Sequence, residues 1–553
     1  MPLLVYFVGM HIVRSKFKSA AGKVYETILL RESYREGKTV KKRTVGNLSN
    51  CTPEEIAAIE LALKYKGNLQ ALTSCSGATM QEGLSVGGVW VIYQMAKRLG
   101  IVDALGNSRE GQLALWQVVA RVLEQGSRLS AVRLAETYAI APVIDLQKGF
   151  NEEDLYKNLL WLCQSQASIE DRLFTKSFCK KPPHLFLYDV TSSYLEGEKN
   201  ELADWGYNRD KKKGKKLIVI GLLSSADGTP VSTEVFKGNT QDTSTFHAQI
   251  KKAKERFKCE KVTFVGDRGM IKSGQIENLQ EQGFHYITAM TKAQIETLMK
   301  KGVIEYTLFD NNLAEVKEDG IRYILKRNPV RAQEIAHSRL SKLASIEKLV
   351  AMQNAYLHAH PKAQVEVALK KIKAKIERLT LKTCVTVSAQ DKSLSVCLNQ
   401  EILAEDAKLD GCYVIKTDLA CEEVSMQEVH DRYKDLARVE SAFRTVKSDL
   451  EIRPVYVRSE ESTRGHVLIV MLAYMIIREL DKAWKDLYLT VEEGLRSLST
   501  LTLIEWTVNN GLSFQQIPEP RHQNRQMLEA LKVELPKVLP KNHAHVVTRK
   551  KRR

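Results

Sequence analysis

A mixed α/β protein with a central sheet is what the 553-residue sequence predicts, and two observations carry that prediction. Between residues 184 and 290 the pattern runs β-β-β-α-β-α-β. HLFLYDVTSSYL, KKLIVIGLLSSADG and PVSTEVFKGN read as strands, STFHAQIKKAKERFK as a helix, KVTFVGDRG as a strand, GQIENLQEQG as a helix and FHYITAM as a strand. Three consecutive strands followed by alternating helices fit a mixed sheet in which the first and fourth strands lie side by side. Helical periodicity then resumes at Met426 to Lys447 and from about Ser462 to Trp484, after a stretch, 291–425, that carries strands and helices of its own. The sheet is therefore expected to be interrupted by an α+β insertion.

The remaining elements follow in chain order. Residues 1 to 50 hold three β-like runs, YFVGMHIV, KVYETILLRESY and KTVKKRTVGNL, separated by the turn-prone SAAGK and REGK. Thr52-Pro53-Glu54-Glu55 is a capping box with proline at the first helical position, and it opens a helix to about Lys66. The polar stretch from Thr73 to Thr79 reads as a linker. From Gly83 to about Lys180 the period is helical throughout, with glycines at several helix ends. In the insertion, IEYTLFD, GIRYILKR, TVSAQ, LSVCL and CYVIKTD read as strands, and Arg331 to Leu381 as a basic helical stretch broken near Pro361. The expected units are 1–70, β-rich with one helix; 80–180, all-helical, whose Arg98, Arg121, Arg128 and Arg133 make it a candidate DNA-binding domain; 184–290 with 426–485, the core; 291–425, the insertion; and 486–553, a helical or irregular basic tail.

Composition narrows the partner. The chain is 44% hydrophobic and 27% charged, which suits a folded globular protein, and its 83 Lys and Arg against 66 Asp and Glu leave a net charge of +17. Such an excess points to a polyanion, and nucleic acid is the commonest one for a chain of this size. The basic residues cluster at Lys211 to Lys216 and at Arg549 to Arg553. Nine cysteines with no C-x-x-C pair suggest neither a zinc finger nor a disulfide framework. MPLLVYFVGMHIV lacks a basic leader and reads as a strand. Val467 to Ile477 falls well short of the roughly 20 residues that span a bilayer, so a cytoplasmic protein is expected.

Chemistry concentrates around the Met426 to Lys447 helix. Val429, Tyr433, Leu436 and Phe443 make an apolar stripe, and at about 100° per residue Glu440 projects within roughly 60° of all four. A carboxylate facing a core costs several kcal/mol unless a cation meets it, so the pattern implies a Glu–Lys pair or a metal held with partners elsewhere. Asp189 ends the strand LFLYD and Asp267 ends VTFVGD. Reactive sites of open α/β sheets collect at the carboxyl ends of strands, so these aspartates are placed to share an ion with Glu440. Oxygen ligands of this kind suit Mg²⁺ or Mn²⁺, and two such ions about 4 Å apart activate an attacking hydroxyl and stabilise the leaving oxygen in phosphoryl transfer. Lys211, Lys212, Lys213, Lys215 and Lys216, near Trp205 and Tyr207, lie between the first two strands, where they can track a phosphate backbone.

These residues resemble a known family. Asp189 in YDVTS, the segment FKGNTQD from Phe236 to Asp242, Asp267 in GDRGM, and Tyr433, Glu440 and Lys447 at spacings of seven (440 − 433 = 7, 447 − 440 = 7) are similar to the motifs of bacterial insertion-sequence DDE transposases with a Y-R-E-K signature. Where that signature has its arginine, this chain has Leu436. The resemblance implies a retroviral-integrase-like, RNase H-like core in which Asp189, Asp267 and Glu440 are catalytic and hold two Mg²⁺ ions, with Mn²⁺ able to substitute. It also implies that Tyr433 and Lys447 contact DNA, that the substrates are double-stranded terminal inverted repeats and target DNA, and that a homodimer forms in the DNA complex, with no membrane involved. A host nuclease or resolvase of the same architecture, and a noncatalytic transposase-derived DNA-binding protein, are the alternative readings.

Overall fold

The structure is a computed structural model that describes residues 6–18, 24–36, 39–65, 79–146, 148–310, 312–507, 513–540 and 546. The linker residues 73–78 and the terminal arginines lie outside the described residues. The chain divides into two compact units, 1–83 with 504–516, and 84–503 with 517–553.

In the first unit, β1 (Tyr6–Lys18), β2 (Val24–Glu36) and β3 (Thr39–Asn47) form an antiparallel sheet, as their alternating patterns predict. The helix Pro53–Lys64 starts at the expected capping box. The Thr52 hydroxyl accepts from the Glu55 amide at 3.3 Å, and the Thr52 amide donates to the Glu55 carboxylate at 2.7 Å. A second three-stranded sheet joins β4 (Thr79–Ser85) to strands Thr502–Thr507 and Ser513–Gln516. Those two strands, with helices Val491–Ser499 and His522–Leu531, give the tail more regular structure than its prolines suggest.

The second unit is built on an eight-stranded mixed sheet. β5 (Leu185–Tyr194), β6 (Leu217–Ser225) and β7 (Pro230–Lys237) are antiparallel, while β8 (Thr263–Gly266) and β9 (His285–Ala289) run parallel to β5. The insertion adds β10 (Ala314–Glu318) and β11 (Ile321–Arg327), a separate hairpin of β12 (Val385–Gln390) and β13 (Ser393–Leu398), and β14 (Cys412–Thr417). The sheet order is β10-β11-β14-β9-β8-β5-β6-β7, so the insertion extends the sheet at the β9 edge. Its helices Pro329–Ala359 and Val365–Arg378 pack with the β12–β13 hairpin into a core of their own. The segment expected as the strand IEYTLFD is instead a 3-10 turn, Tyr306–Asp310, whose Phe309 is buried in a local cluster.

Two cores sandwich the sheet, and the period of two in β5 sorts its residues between them. Leu185 and Leu187 face the large core shared with the helices, whereas Phe186, Tyr188 and Val190 face a smaller aromatic core with Phe246 and Phe264. The helix Glu460–Trp484 is buried along most of its length, as the apolar run Val467 to Ile477 predicts. It packs against the helices Glu152–Phe178 and Arg109–Leu123, so the helical segment and the sheet share one core. Arg121 and Arg128, offered by the sequence as DNA contacts, are buried in that core. Among the described residues, no helix is long and apolar enough to cross a membrane.

Gly465 sets how closely two of these helices approach. A Cβ at this position would overlap the Leu159 carbonyl oxygen, which is backbone and cannot swing aside. Gly465→Ala is expected to destabilise the protein by about 1–3 kcal/mol through overpacking, read as a lowered urea midpoint at unchanged slope.

Candidate active site

The helix that carries Glu440 differs from its sequence expectation in one respect that matters. It is two helices, Met426–Lys434 and Leu436–Ser448, separated at Asp435. The Arg438 amide bonds the Asp435 carbonyl three residues back, at 2.9 Å, and the Asp435 carboxylate pairs with Arg438, also at 2.9 Å. Aspartate is a poor interior helix former. In the second helix the buried stripe is Leu436, Val439, Ala442, Phe443 and Val446, and Glu440 lies about 100° from its centre. Glu440 is therefore exposed rather than mid-stripe in a core.

Its exposure is to a cleft that also holds both aspartates. An open cavity of about 400 Å³ is lined by Asp189, Asp267 and Glu440, with Arg209, Asp242, Arg444, Lys447 and Arg453 around them. The sheet register explains the first two. Leu187 of β5 stands beside Val265 of the parallel β8, so two residues further on Asp189 comes beside Asp267. Both aspartates keep the parity of Leu187 and Val265, which face the large core, so they point to the side of the sheet covered by the Leu436–Ser448 helix. A larger groove of about 1180 Å³ is lined by other residues of that helix, including Arg438, Ser441 and Thr445, and carries mixed charge without an aspartate pair at strand ends.

The carboxylates are held from below by backbone. The Val190 amide donates to the Asp189 carboxylate at 2.8 Å, and the Gly269 amide donates to that of Asp267 at 2.9 Å, closing the GDRGM turn. Burial pushes the Asp189 carboxyl up from its ordinary 3.8 to about 7; the Val190 amide opposes this, and the nearby Asp267 and Glu440 charges reinforce it. Among the described residues no three His, Cys, Asp or Glu side chains are gathered tightly enough to form a ready-made metal cluster. The donor set is all carboxylate oxygen, which fits a hard divalent cation.

A folded-state value raised in this way has a sign. The native carboxyl keeps its proton where the unfolded one has lost it, so stability falls as pH rises from about 4 and the loss is complete above about 7. Asp189→Asn should therefore raise the unfolding free energy of the metal-free protein at pH 8 by about 2 kcal/mol, the full shift being halved because water reaches this carboxyl at the cleft. The gain should vanish near pH 4, and thermal melts at the two pH values check it.

The other candidates distribute unevenly. Lys447 lines the cleft, but its partner is Asp210, at 2.8 Å, and not Glu440. Arg453 shares the same Asp210 oxygen. Burial lowers the Lys447 ammonium's pKa, and the Asp210 carboxylate opposes that. Tyr433 sits on the first of the two helices, half-buried, where burial pushes its phenol up to about 12 and Asp267, Arg268 and Glu440 all influence it. Lys211, Lys212 and Lys213 are exposed on the β5–β6 loop, while Lys215 is paired with Glu196 at 2.6 Å and Lys216 is partly buried.

Sequence reasoning gave no role to Arg209, Asp210, Asp242, Arg444 and Arg453. The Arg209 guanidinium donates to both oxygens of Asp242, at 2.8 and 2.7 Å, which gives the FKGNTQD aspartate a structural role at the cleft edge. Arg444 makes no ion pair among the described residues. Arg209 and Asp210 lie immediately before the lysine run, a signal that was present and unread. Nothing local in the sequence marks Arg453.

Two family models match the chain. The model of the family described as "Transposase DDE domain" matches residues 180–476, and that described as "IS1634 family transposase, N-terminal domain" matches residues 12–73. No curated protein matches the chain. Among solved structures, a piggyBac transposase synaptic complex with hairpin DNA is similar at 8% identity and a TM-score of 0.30, covering 67% of this chain and 56% of that one. At that level the likeness carries no argument about this chain.

Proposed function

Because the chain belongs to the DDE transposase family, we propose that it is the transposase of an insertion sequence, cutting DNA at the element's ends and joining the freed ends to a target. The observation that carries the reading is the register of β5 and β8, which sets Asp189 beside Asp267 in a cleft that Glu440 also lines. The strand order β7-β6-β5-β8-β9, with three antiparallel strands followed by two parallel to the first, supports an RNase H-like core.

In this reading Asp189, Asp267 and Glu440 would hold two Mg²⁺ ions, or Mn²⁺ in their place. When bound, the ions would activate the attacking water or 3′-hydroxyl and offset charge on the leaving oxygen. The chain's own residues orient the DNA. Arg209, Arg444, Lys447 and Arg453 are the cations of the cleft lining, available to a phosphate backbone that enters it. Tyr433, Glu440 and Lys447 keep the Y-R-E-K spacing; the signature's arginine position is the buried Leu436, and Arg444, from another face of the helix, lines the cleft. The exposed Lys211, Lys212 and Lys213 extend the basic path beyond the cleft. Double-stranded terminal inverted repeats and target DNA are the substrates, and a homodimer that pairs two ends is the expected assembly.

The test is incubation of the purified protein with a labelled duplex ending in the element's inverted repeat, with Mg²⁺. A strand break leaving a 3′-hydroxyl at the element boundary is the expected product. A chain that binds this duplex but leaves it uncut with both Mg²⁺ and Mn²⁺ is not acting as proposed.

A further inference from the structure

The β5–β6 loop carries two aromatic side chains that the chemistry above does not use. Trp205 is 60% exposed and Tyr207 79% exposed, two large rings in solvent two residues apart. The loop does not present them by being loose. Asn200 donates to the Val457 carbonyl and the Thr463 hydroxyl, at 2.7 and 2.8 Å, fixing the loop's start. The backbones of Asp204 and Leu217 bond each other in both directions, at 3.1 and 3.0 Å. Arg209 and Asp210 anchor its far side through Asp242, Lys447 and Arg453.

Gly206, between the two rings, lies close to the FKGNTQD backbone: a Cβ there would overlap the Gly238 carbonyl oxygen. Tyr207 is also tied to the cleft. The Arg209 guanidinium lies over its ring at 5.5 Å while bonding Asp242, and both Arg209 and Asp242 line the cleft. Lys211, Lys212 and Lys213 follow within a few residues, exposed. Solvent-facing rings on an anchored loop beside a basic path are the arrangement that binds single-stranded nucleic acid, because every base offers a π-face to stack and the backbone pairs with cations.

We propose that Trp205 and Tyr207 form a stacking site for one or two unpaired nucleobases at the mouth of the catalytic cleft, holding the strand of a DNA end that is out of its duplex. The site rests on the reading of the protein as a DNA transposase, but its ligand is the unpaired base itself, so it can be tested without cleavage.

The experiment compares, by fluorescence anisotropy in the absence of divalent metal, the affinity of the full chain for a blunt 20-base-pair duplex and for the same duplex with a short single-stranded tail. Wild type should prefer the tailed duplex by about 10- to 100-fold, the scale of one stacked base. Trp205→Ala with Tyr207→Ala should erase that preference while leaving blunt-duplex binding unchanged, and Trp205→Phe with Tyr207→Phe should keep most of it. No tail preference in wild type, or an undiminished one in the alanine pair, overturns the proposal. So does a phenylalanine pair that loses as much as the alanine pair, or an alanine pair that loses blunt and tailed duplex equally. A tail preference that persists in a protein unable to cut DNA would retire the transposase reading and leave the stacking site standing.

Discussion

Asp189→Asn, Asp267→Asn and Glu440→Gln are each expected to lower strand cleavage by at least about 1000-fold while leaving DNA affinity within a few-fold of wild type. The reason is geometric and electrostatic. Asp189 and Asp267 are in register on adjacent parallel strands, and their charge, with that of Glu440, is what a divalent cation in the cleft would balance. An amide keeps the shape of each side chain but removes the charge that holds the cation. Residues that act through one set of ions fail together, so the triple variant should be little worse than any single one. Single-turnover cleavage of labelled inverted-repeat DNA measures the loss, and anisotropy measures binding. A Glu440→Gln protein that cuts at the wild-type rate would remove Glu440 from the site, however well the aspartates behave.

Asp210→Ala should destabilise the fold by about 3–5 kcal/mol, the cost of leaving buried partner charge unmatched. The Asp210 side chain is 3% exposed and that of its partner Lys447 is 11% exposed, and Arg453 converges on the same carboxylate oxygen. Without Asp210, the two cations that converge on it, Lys447 and Arg453, have no carboxylate between them. Urea denaturation should show the lowered midpoint. A double variant that also removes Lys447, Asp210→Ala with Lys447→Met, should recover part of the loss, since the Lys447 charge is then gone. A single variant within about 0.5 kcal/mol of wild type would mean that the contact carries no stability.

How much of this was legible in the sequence follows from what each signal depends on. The β-β-β-α-β-α-β order, the β6–β7 hairpin at Asp227-Gly228 and the pairing of the first and fourth strands follow from local periodicity and turn chemistry, and the structure has them. The buried Val467 to Ile477 helix was readable for the same reason. The orientation of Glu440 was misread. The stripe read from the sequence left out Val439, Ala442 and Val446, which move its centre round the helix and leave Glu440 at its edge, facing the cleft. The buried positions of Arg121 and Arg128 could not be read locally, because they follow from how the helices pack around Glu460–Trp484. The same holds for Arg453, which reaches the cleft from a segment that follows the helix. The insertion's contribution of β10, β11 and β14 to the central sheet is a non-local pairing that strand patterns alone do not specify.

The central claim is that the three carboxylates of one cleft share the ions that do the chemistry. Crystals of the protein soaked in Mn²⁺, with data collected at the manganese absorption edge, test it directly. Anomalous peaks are expected in the cleft, against Asp189, Asp267 and Glu440. Peaks confined to other carboxylates, with none at Asp189, would contradict it.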